Sequence, residues 1–369
     1  MSTENINDKF FQLLRLAIGS SDVIPRIGKE EWNGIYEKAK KQSLLGIVFD
    51  GIQKMSDAAK MKGELMEMDV DLLMTWMGKC KQIEKHNVLL NEAVGKVSAW
   101  FLKRGFYSCI LKGQGNALMY PCPAHRIGGD IDIWVLGKPS EVIRFVHTVD
   151  PNAKASYHHI DFPAINGIPV EVHYRPCYLL NPLHNHRLQI FFRQFAERQF
   201  SHVVCVGDRN VAVPTTEFNV VFQLVHVYNH LFQEGIGLRQ IIDYYFVIKS
   251  YGDGNSTLSD RLFRNELKRM GLWKFVGAVM YVLHEVLELS EEYMIAPVDV
   301  KRGRLLLDEI LEGGNFGQYD ERYSFGHGAF GHNLQRLFRD GRLIRFYPAE
   351  ALSEPIFRVW HFFWRKKYN

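Results

Sequence analysis

The stretch His125-Arg126-Ile127-Gly128-Gly129-Asp130-Ile131-Asp132-Ile133-Trp134-Val135 permits few folds. Two glycines let the backbone turn freely. Acidic and large apolar residues then alternate. In a strand, successive side chains point to opposite faces, so Asp130 and Asp132 share one face and Ile131, Ile133 and Val135 the other. The apolar face calls for a core. Two carboxylates one residue apart on a rigid strand repel each other, and burial raises the cost. A hard divalent cation such as Mg²⁺ is the natural partner, because it prefers oxygen ligands. The plainer reading is a solvated strand face that carries two aspartates.

The chain around this strand falls into three parts by periodicity. Residues 1–104 read as a helical region. Phe10, Leu13, Leu14 and Ala17 repeat at helical spacing, Glu30 to Gln42 forms a helix, and a long pattern, broken at least once, runs from about Ser56 to Arg104. Gly105 ends it. Residues 105–214 read as an α/β core. Phe106 to Leu111 is a strand, Lys112-Gly113-Gln114-Gly115 a turn, Gly129 to Leu136 the two-aspartate strand, and Pro139 to Thr148 a helix. Residues 215–369 read as a second helical region. It starts with a helix from Thr215 to about Gln233, continues with another from Leu238 to Ser250, and carries a glycine-rich break from Gly313 to Gly331.

The clearest local signal is Asn166-Gly167, the strongest two-residue hairpin turn, between His158–Ile165 and Ile168–Arg175. An unbroken two-residue hairpin places Ile165 opposite Ile168, Phe162 opposite Glu171 and Ile160 opposite His173. Glu171 and His173 then share a face. Pro163 and Pro169 make the hairpin tip an edge or a distortion.

Composition narrows the class. The chain has 369 residues and a net charge of +4, mildly basic, which suits an anionic ligand but falls short of a nucleic-acid signature. Its five cysteines (Cys80, Cys109, Cys122, Cys177, Cys205) are odd in number and form no C-x-x-C pair. That is neither a disulfide framework nor a zinc knuckle, and a reducing cytoplasmic setting is the simplest expectation. Met1 to Lys9 has no signal-peptide character. Phe218 to Gln233 is too polar and too short to span a membrane.

If the Glu171 strand lies beside the two-aspartate strand, three carboxylates converge. Such a set can hold two divalent ions, which stabilise both the attacking and the leaving oxygen of an in-line displacement at phosphorus. This order of elements resembles the nucleotidyltransferase superfamily related to DNA polymerase beta. Leu111-Lys112-Gly113, Arg126, Gly129-Asp130-Ile131-Asp132-Ile133 and Glu171-Val172-His173 look, more narrowly, like an uncharacterised nucleotidyltransferase family found in many bacteria. That family also carries a downstream pattern seen here in His226-x-x-x-His230-Leu231 and Gly237-Leu238-Arg239-Gln240-x-x-Asp243. The turn reads Lys112-Gly113-Gln114 where the superfamily usually has Gly-Ser or Gly-Gly.

The resemblance implies an α+β protein, with a small mixed nucleotidyltransferase-type sheet flanked by helical N- and C-terminal regions. It implies transfer of a nucleoside monophosphate from a nucleoside triphosphate (NTP) to an unknown acceptor. Asp130, Asp132 and Glu171 would hold Mg²⁺ or Mn²⁺, with Glu171 also a candidate base. Lys112, Gly113, Arg126 and Gly129 would lie along the phosphates, and the N–H groups of Gly113 and Gly115 offer a cradle. Arg126 has a second reading as a salt bridge to one of the nearby aspartates that orders its loop. His173 would touch substrate or a ligand, or simply pack. His226 and His230, one turn apart, would face the cleft. Arg239 stands one turn from Asp243 and should pair with it while bordering the site.

Two other classes stay open: a nucleotide-binding module without turnover, and a metal-dependent phosphohydrolase using the same acids. At the C-terminus, Arg336, Arg339, Arg342, Arg345, Arg358, Arg365, Lys366 and Lys367 interleave with Phe338, Phe346, Phe357, Trp360, Phe362, Phe363 and Trp364. An amphipathic helix with a packed aromatic face and a wet basic face is expected there, rather than an RNA contact.

Overall fold

A computed structural model describes residues 3–63, 66–254, 260–320, 322 and 341–368. Four helices come first: α1 (Thr3–Ile18), α2 (Trp32–Lys41), α3 (Leu45–Met61) and α4 (Val70–Leu102). The predicted break in the long helical pattern lies between α3 and α4. Asp69 caps the start of α4, accepting from the amides of Asp71 and Leu72. Strand β1 (Ser108–Ile110), the short helix α5 (Gln114–Ala117), β2 (Ile131–Val135), α6 (Pro139–Val149), β3 (His159–Ile165) and β4 (Ile168–His173) follow. Next come α7 (Pro182–Ser201) and a small hairpin of β5 (Val203–Val206) and β6 (Arg209–Ala212). The remainder is helical: α8 (Thr216–Gln233), α9 (Leu238–Asp253), α10 (Asp260–Arg269), α11 (Trp273–Tyr281), α12 (Val300–Gly313) and α13 (Pro348–Tyr368). The fold is α+β, a small mixed sheet among helices.

The sheet runs β1-β2-β4-β3. β1 and β2 are antiparallel, β2 and β4 parallel, β4 and β3 antiparallel. One face carries Ile131, Ile133, Val135, Val170 and Val172, packed with Leu90, Val94, Val97 and Phe101 of α4 and Val142 and Val146 of α6. Burying each such side chain stabilises the fold by about 1.5–3 kcal/mol. The other face is covered as well. The Trp134 ring lies nearly parallel to that of Phe218 on α8, with centroids 5.6 Å apart. Every residue from Glu217 to Val225 is buried, as expected for a helix enclosed on all sides. The acidic face of β2 therefore looks at α8 instead of at bulk water.

The hairpin corrects one expectation. Asn166 and Gly167 have φ of 55° and 77°, the positive values that this tight turn requires, and Ile165 does face Ile168. Past the turn, however, Phe162 pairs with Val170, Asp161 with Glu171, Ile160 with Val172 and His159 with His173, and the register shifts between Phe162 and Ile165. The cause is burial. The unbroken register would set Ile160 and Phe162 on the acidic face. The bulge at Pro163-Ala164 turns them to the α4 side, where Phe162 packs 5.1 Å from Trp100 and 5.4 Å from Phe101.

The C-terminal expectation also changes. Phe357, Trp360 and Trp364 pack around Tyr157, Trp360 with about half its surface still exposed, but Ile356, Val359, Phe362 and Phe363 are exposed. Helix α13 is thus apolar on two sides, and only one of them is packed. Arg336, Arg339, Phe338 and the glycine-rich stretch beyond Asp320 lie outside the described residues. Among the described residues no helix is long and apolar enough to cross a membrane.

Candidate functional site

Parallel pairing of β2 with β4 sets Asp132 opposite Glu171 and Trp134 opposite His173. Asp130 stands one residue before β2. Oxygens of Asp130, Asp132 and Glu171 lie within 4.8 Å of one another. Asp132 is 4% exposed. Lys112 Nζ, from the turn after β1, reaches Asp132 Oδ2 at 2.9 Å. His173 Nε2 reaches Asp132 Oδ1 at 2.9 Å and Glu171 Oε2 at 3.5 Å, while its Nδ1 faces the Pro176 carbonyl at 3.2 Å. With acceptors at both ring nitrogens, His173 is held as the imidazolium. Burial pulls its pKa down, but the hydrogen bonds to Asp132 and Glu171 outweigh that and raise it to about 9.

The carboxylates divide unequally. Burial works against charge on Asp132, but Lys112 and His173 prevail and hold its pKa well below the ordinary range. For Glu171 burial again opposes charge, and His173 reverses it. Asp130 goes the other way: repulsion from Asp132, then burial, raises its carboxyl. Three acids face two cations, and the surplus negative charge falls on Asp130, at the open side. Hard oxygen donors with an uncompensated charge fit a divalent cation.

These groups line a cavity of about 440 Å³ together with Gly113, Gly129, Arg126, His226, His230 and Arg239. Helix α8 forms the opposite wall. His226 Nε2 lies 3.3 Å from Lys112 Nζ and 3.1 Å from His230 Nε2. Burial, then the Lys112 charge, holds His226 far below its ordinary pKa, so it is a neutral acceptor. The structure thus brings Lys112, Gly113, Arg126, Gly129, Asp130, Asp132, Glu171, His173, His226, His230 and Arg239 to one cavity. Gly115 is not among them: its N–H donates to the Lys112 carbonyl within the turn, which removes it as a cradle.

The expected Arg239–Asp243 pair is replaced by a longer-range one. Asp243 takes a two-pronged bond from Arg126, Nε to Oδ1 and Nη2 to Oδ2, each 2.7 Å, and a third from the Tyr120 hydroxyl at 2.6 Å. Arg239 Nη1 instead donates to the Ile127 carbonyl at 2.9 Å, and its guanidinium lies over the Phe316 ring. Among the described residues, Arg126 Nη1, Arg239 Nε and Gln240 Nε2 are buried without an acceptor, and all three residues border the cavity. Unanswered donors there suit an anionic ligand.

Sequence reading missed His158 and His159. His159 Nδ1 lies 3.2 Å from Glu171 Oε2 and 3.1 Å from His158 Nε2. Burial lowers the pKa of both, that of His159 to about 4. The bulge is what puts His159 opposite His173, on this face.

Residues 28–288 match a family model described as an uncharacterised nucleotidyltransferase. The chain belongs to this family. For this nucleotidyltransferase family member, the matched region runs from α2 through α11 and contains the cavity's acids, Lys112, the α8 histidines and Arg239. Helices α12 and α13 lie beyond it. No curated protein matches the sequence. Among solved structures, a crystal structure of an antigenic nucleotidyltransferase-like protein from Paracoccidioides brasiliensis overlays with a TM-score of 0.32 at 10% identity, over 58% of this chain and 97% of that one. A likeness that loose carries no weight here.

Proposed function

We propose that this family member is a metal-dependent nucleotidyltransferase, which transfers a nucleoside monophosphate from an NTP to a hydroxyl or phosphate acceptor. One observation carries the reading. Neighbouring parallel strands set Asp132 beside Glu171 with Asp130 at the open edge, inside a cavity whose other wall offers unanswered cationic donors. Asp130, Asp132 and Glu171 would hold Mg²⁺ or Mn²⁺, and the ion, when bound, offsets charge on the reacting phosphate. Each Asp132 oxygen accepts one hydrogen bond already and retains a lone pair for a ligand bond. His173 fixes Asp132 and Glu171 in place. Lys112 has three N–H donors; Asp132 and His226 take two, and the third is free for a phosphate oxygen beside Gly113. Arg126 Nη1, Arg239 and the Gly129 backbone would border the rest of the anion. His226 and His230 face the substrate from α8. Glu171, held charged, is the candidate base for the acceptor.

The test is incubation with labelled NTP and Mg²⁺ or Mn²⁺, reading pyrophosphate release and labelled acceptor. Asp132→Ala should lower turnover by roughly a thousandfold or more, since a bound metal supplies several kcal/mol of transition-state stabilisation. Calorimetry that shows no metal-dependent NTP binding sinks the reading. One observation favours a second reading, a module that binds nucleotide without turnover: Lys112 and His173 already neutralise Asp132 with no metal. Intact NTP binding without product across a broad acceptor screen supports that reading instead.

A further inference from the structure

Away from the cavity, a second set of donors converges between α3, α4 and the turn that leads into Arg126. Cys122 and His125 stand three residues apart on the turn, and Asp50 comes from α3. Their ligand atoms lie within 4.8 Å of one another. Asp50 Oδ1 is 2.5 Å from His125 Nδ1, and Glu84 Oε1, from α4, is 3.2 Å from His125 Nε2. His125 is 7% exposed.

The turn is held in place. Asn87 Nδ2 donates to the Ala124 carbonyl at 2.7 Å and the Arg126 carbonyl at 2.9 Å. On the other side, a side chain at Gly46 would begin 2.2 Å from the His125 carbonyl oxygen, so α3 can approach only with glycine there. Donors fixed from three elements are what a metal site needs.

Charge points the same way. Two carboxylates flank one imidazole; Glu84 also pairs with Lys81 at 2.7 Å, so with the ring neutral one negative charge, that of Asp50, is left beside the thiol. The donor set is mixed: nitrogen, sulfur and oxygen. That suits zinc and other d-block cations and does not suit magnesium. The order of contacts also fits a metal-bound histidine. With the ion at Nδ1, Glu84 accepts the proton on Nε2, the carboxylate–histidine–zinc arrangement that orients such ligands.

We propose that Asp50, Cys122 and His125 bind a zinc ion, with Glu84 orienting His125 and water completing the coordination. Cys122 releases its thiol proton to solvent on binding, and His125 coordinates as the neutral ring. The turn continues into Arg126, which holds Asp243, and Ile127, which holds Arg239. The site therefore braces the anion-facing wall of the cavity from behind. It is independent of the three acids and stands whether or not they catalyse transfer.

The probe is Co²⁺, added to the untagged, metal-stripped full chain and followed by absorption. Zinc content of the as-purified protein is measured by mass spectrometry alongside. We expect about one equivalent of zinc per chain, and with Co²⁺ the near-ultraviolet band that only a thiolate ligand produces. Cys122→Ser should abolish the band with an unchanged circular dichroism spectrum. Glu84→Gln should weaken Co²⁺ affinity by roughly 10–100-fold. Asp132→Asn, in the cavity, should leave the band intact. A missing band in the wild-type chain overturns the proposal. So does a band that survives Cys122→Ser, or one that disappears in Asp132→Asn.

Discussion

Asp243 shows how a residue's partner escapes local reading. Its spacing from Arg239, one helical turn, suggests a pair within one helix. In the fold it lies buried against Arg126, 117 positions away in sequence, with Tyr120 as a third partner. Burial raises the cost of its charge, yet Arg126 and the hydrogen bonds keep its pKa below the ordinary value. A carboxylate whose folded pKa is depressed adds stability that is full above its unfolded pKa, near 4, and is lost as pH falls below that value. Asp243→Asn should remove this contribution and leave Arg126 charged and buried. The expected cost is about 3–5 kcal/mol at neutral pH, read as a lower urea midpoint, together with a shallower loss of stability on acidification. A variant as stable as wild type would show that the pair is incidental. A loop-ordering salt bridge at Arg126 is one of its two readings from the sequence, but the partner expected there, one of the nearby aspartates, is replaced by Asp243, because charge patterns along a chain reveal only neighbours close in sequence.

At the scale of elements, much was legible. Alternation marked β2, Asn-Gly marked the hairpin, and the change of period at Gly105 marked the passage from helices to sheet. The bulge in β3 was not legible. Pro163 signals a distortion, but which side the following residues take depends on the aromatic cluster of Trp100, Phe101 and Phe145, which lies outside the hairpin. That single inserted residue decides whether Ile160 and Phe162 or His159 and Asp161 meet the acids. Deleting Ala164 should remove the bulge and leave Phe162 opposite Val170 in a continuous ladder, with both apolar residues still on the α4 side. Its cost should be small, whereas Ile160→Ala, which empties a fully buried position on that side, should lose about 2–5 kcal/mol. Asn166→Gly, which keeps the positive-φ turn, should cost far less. Equal urea midpoints for the Ala164 deletion and Ile160→Ala would contradict this account of the bulge.

At the scale of the whole molecule, the cavity belongs to no single segment. Its acids come from β2, the residue before it and β4, its cations from the turns on either side of α5 and from α9, its histidines from the start of β3, from β4 and from α8, and an aromatic edge from Phe316. The unfolded chain cannot assemble that set, so an ion or nucleotide bound there stabilises only the folded state. At a free concentration about 100 times the dissociation constant, the gain is about 2.7 kcal/mol. Mn²⁺ with a non-hydrolysable NTP should therefore raise the unfolding temperature by several degrees in the wild-type chain. Asp132→Asn should cancel that shift while leaving any zinc-dependent shift in place, and Cys122→Ser should do the reverse. Cancellation of both shifts by either single variant would mean one site, not two.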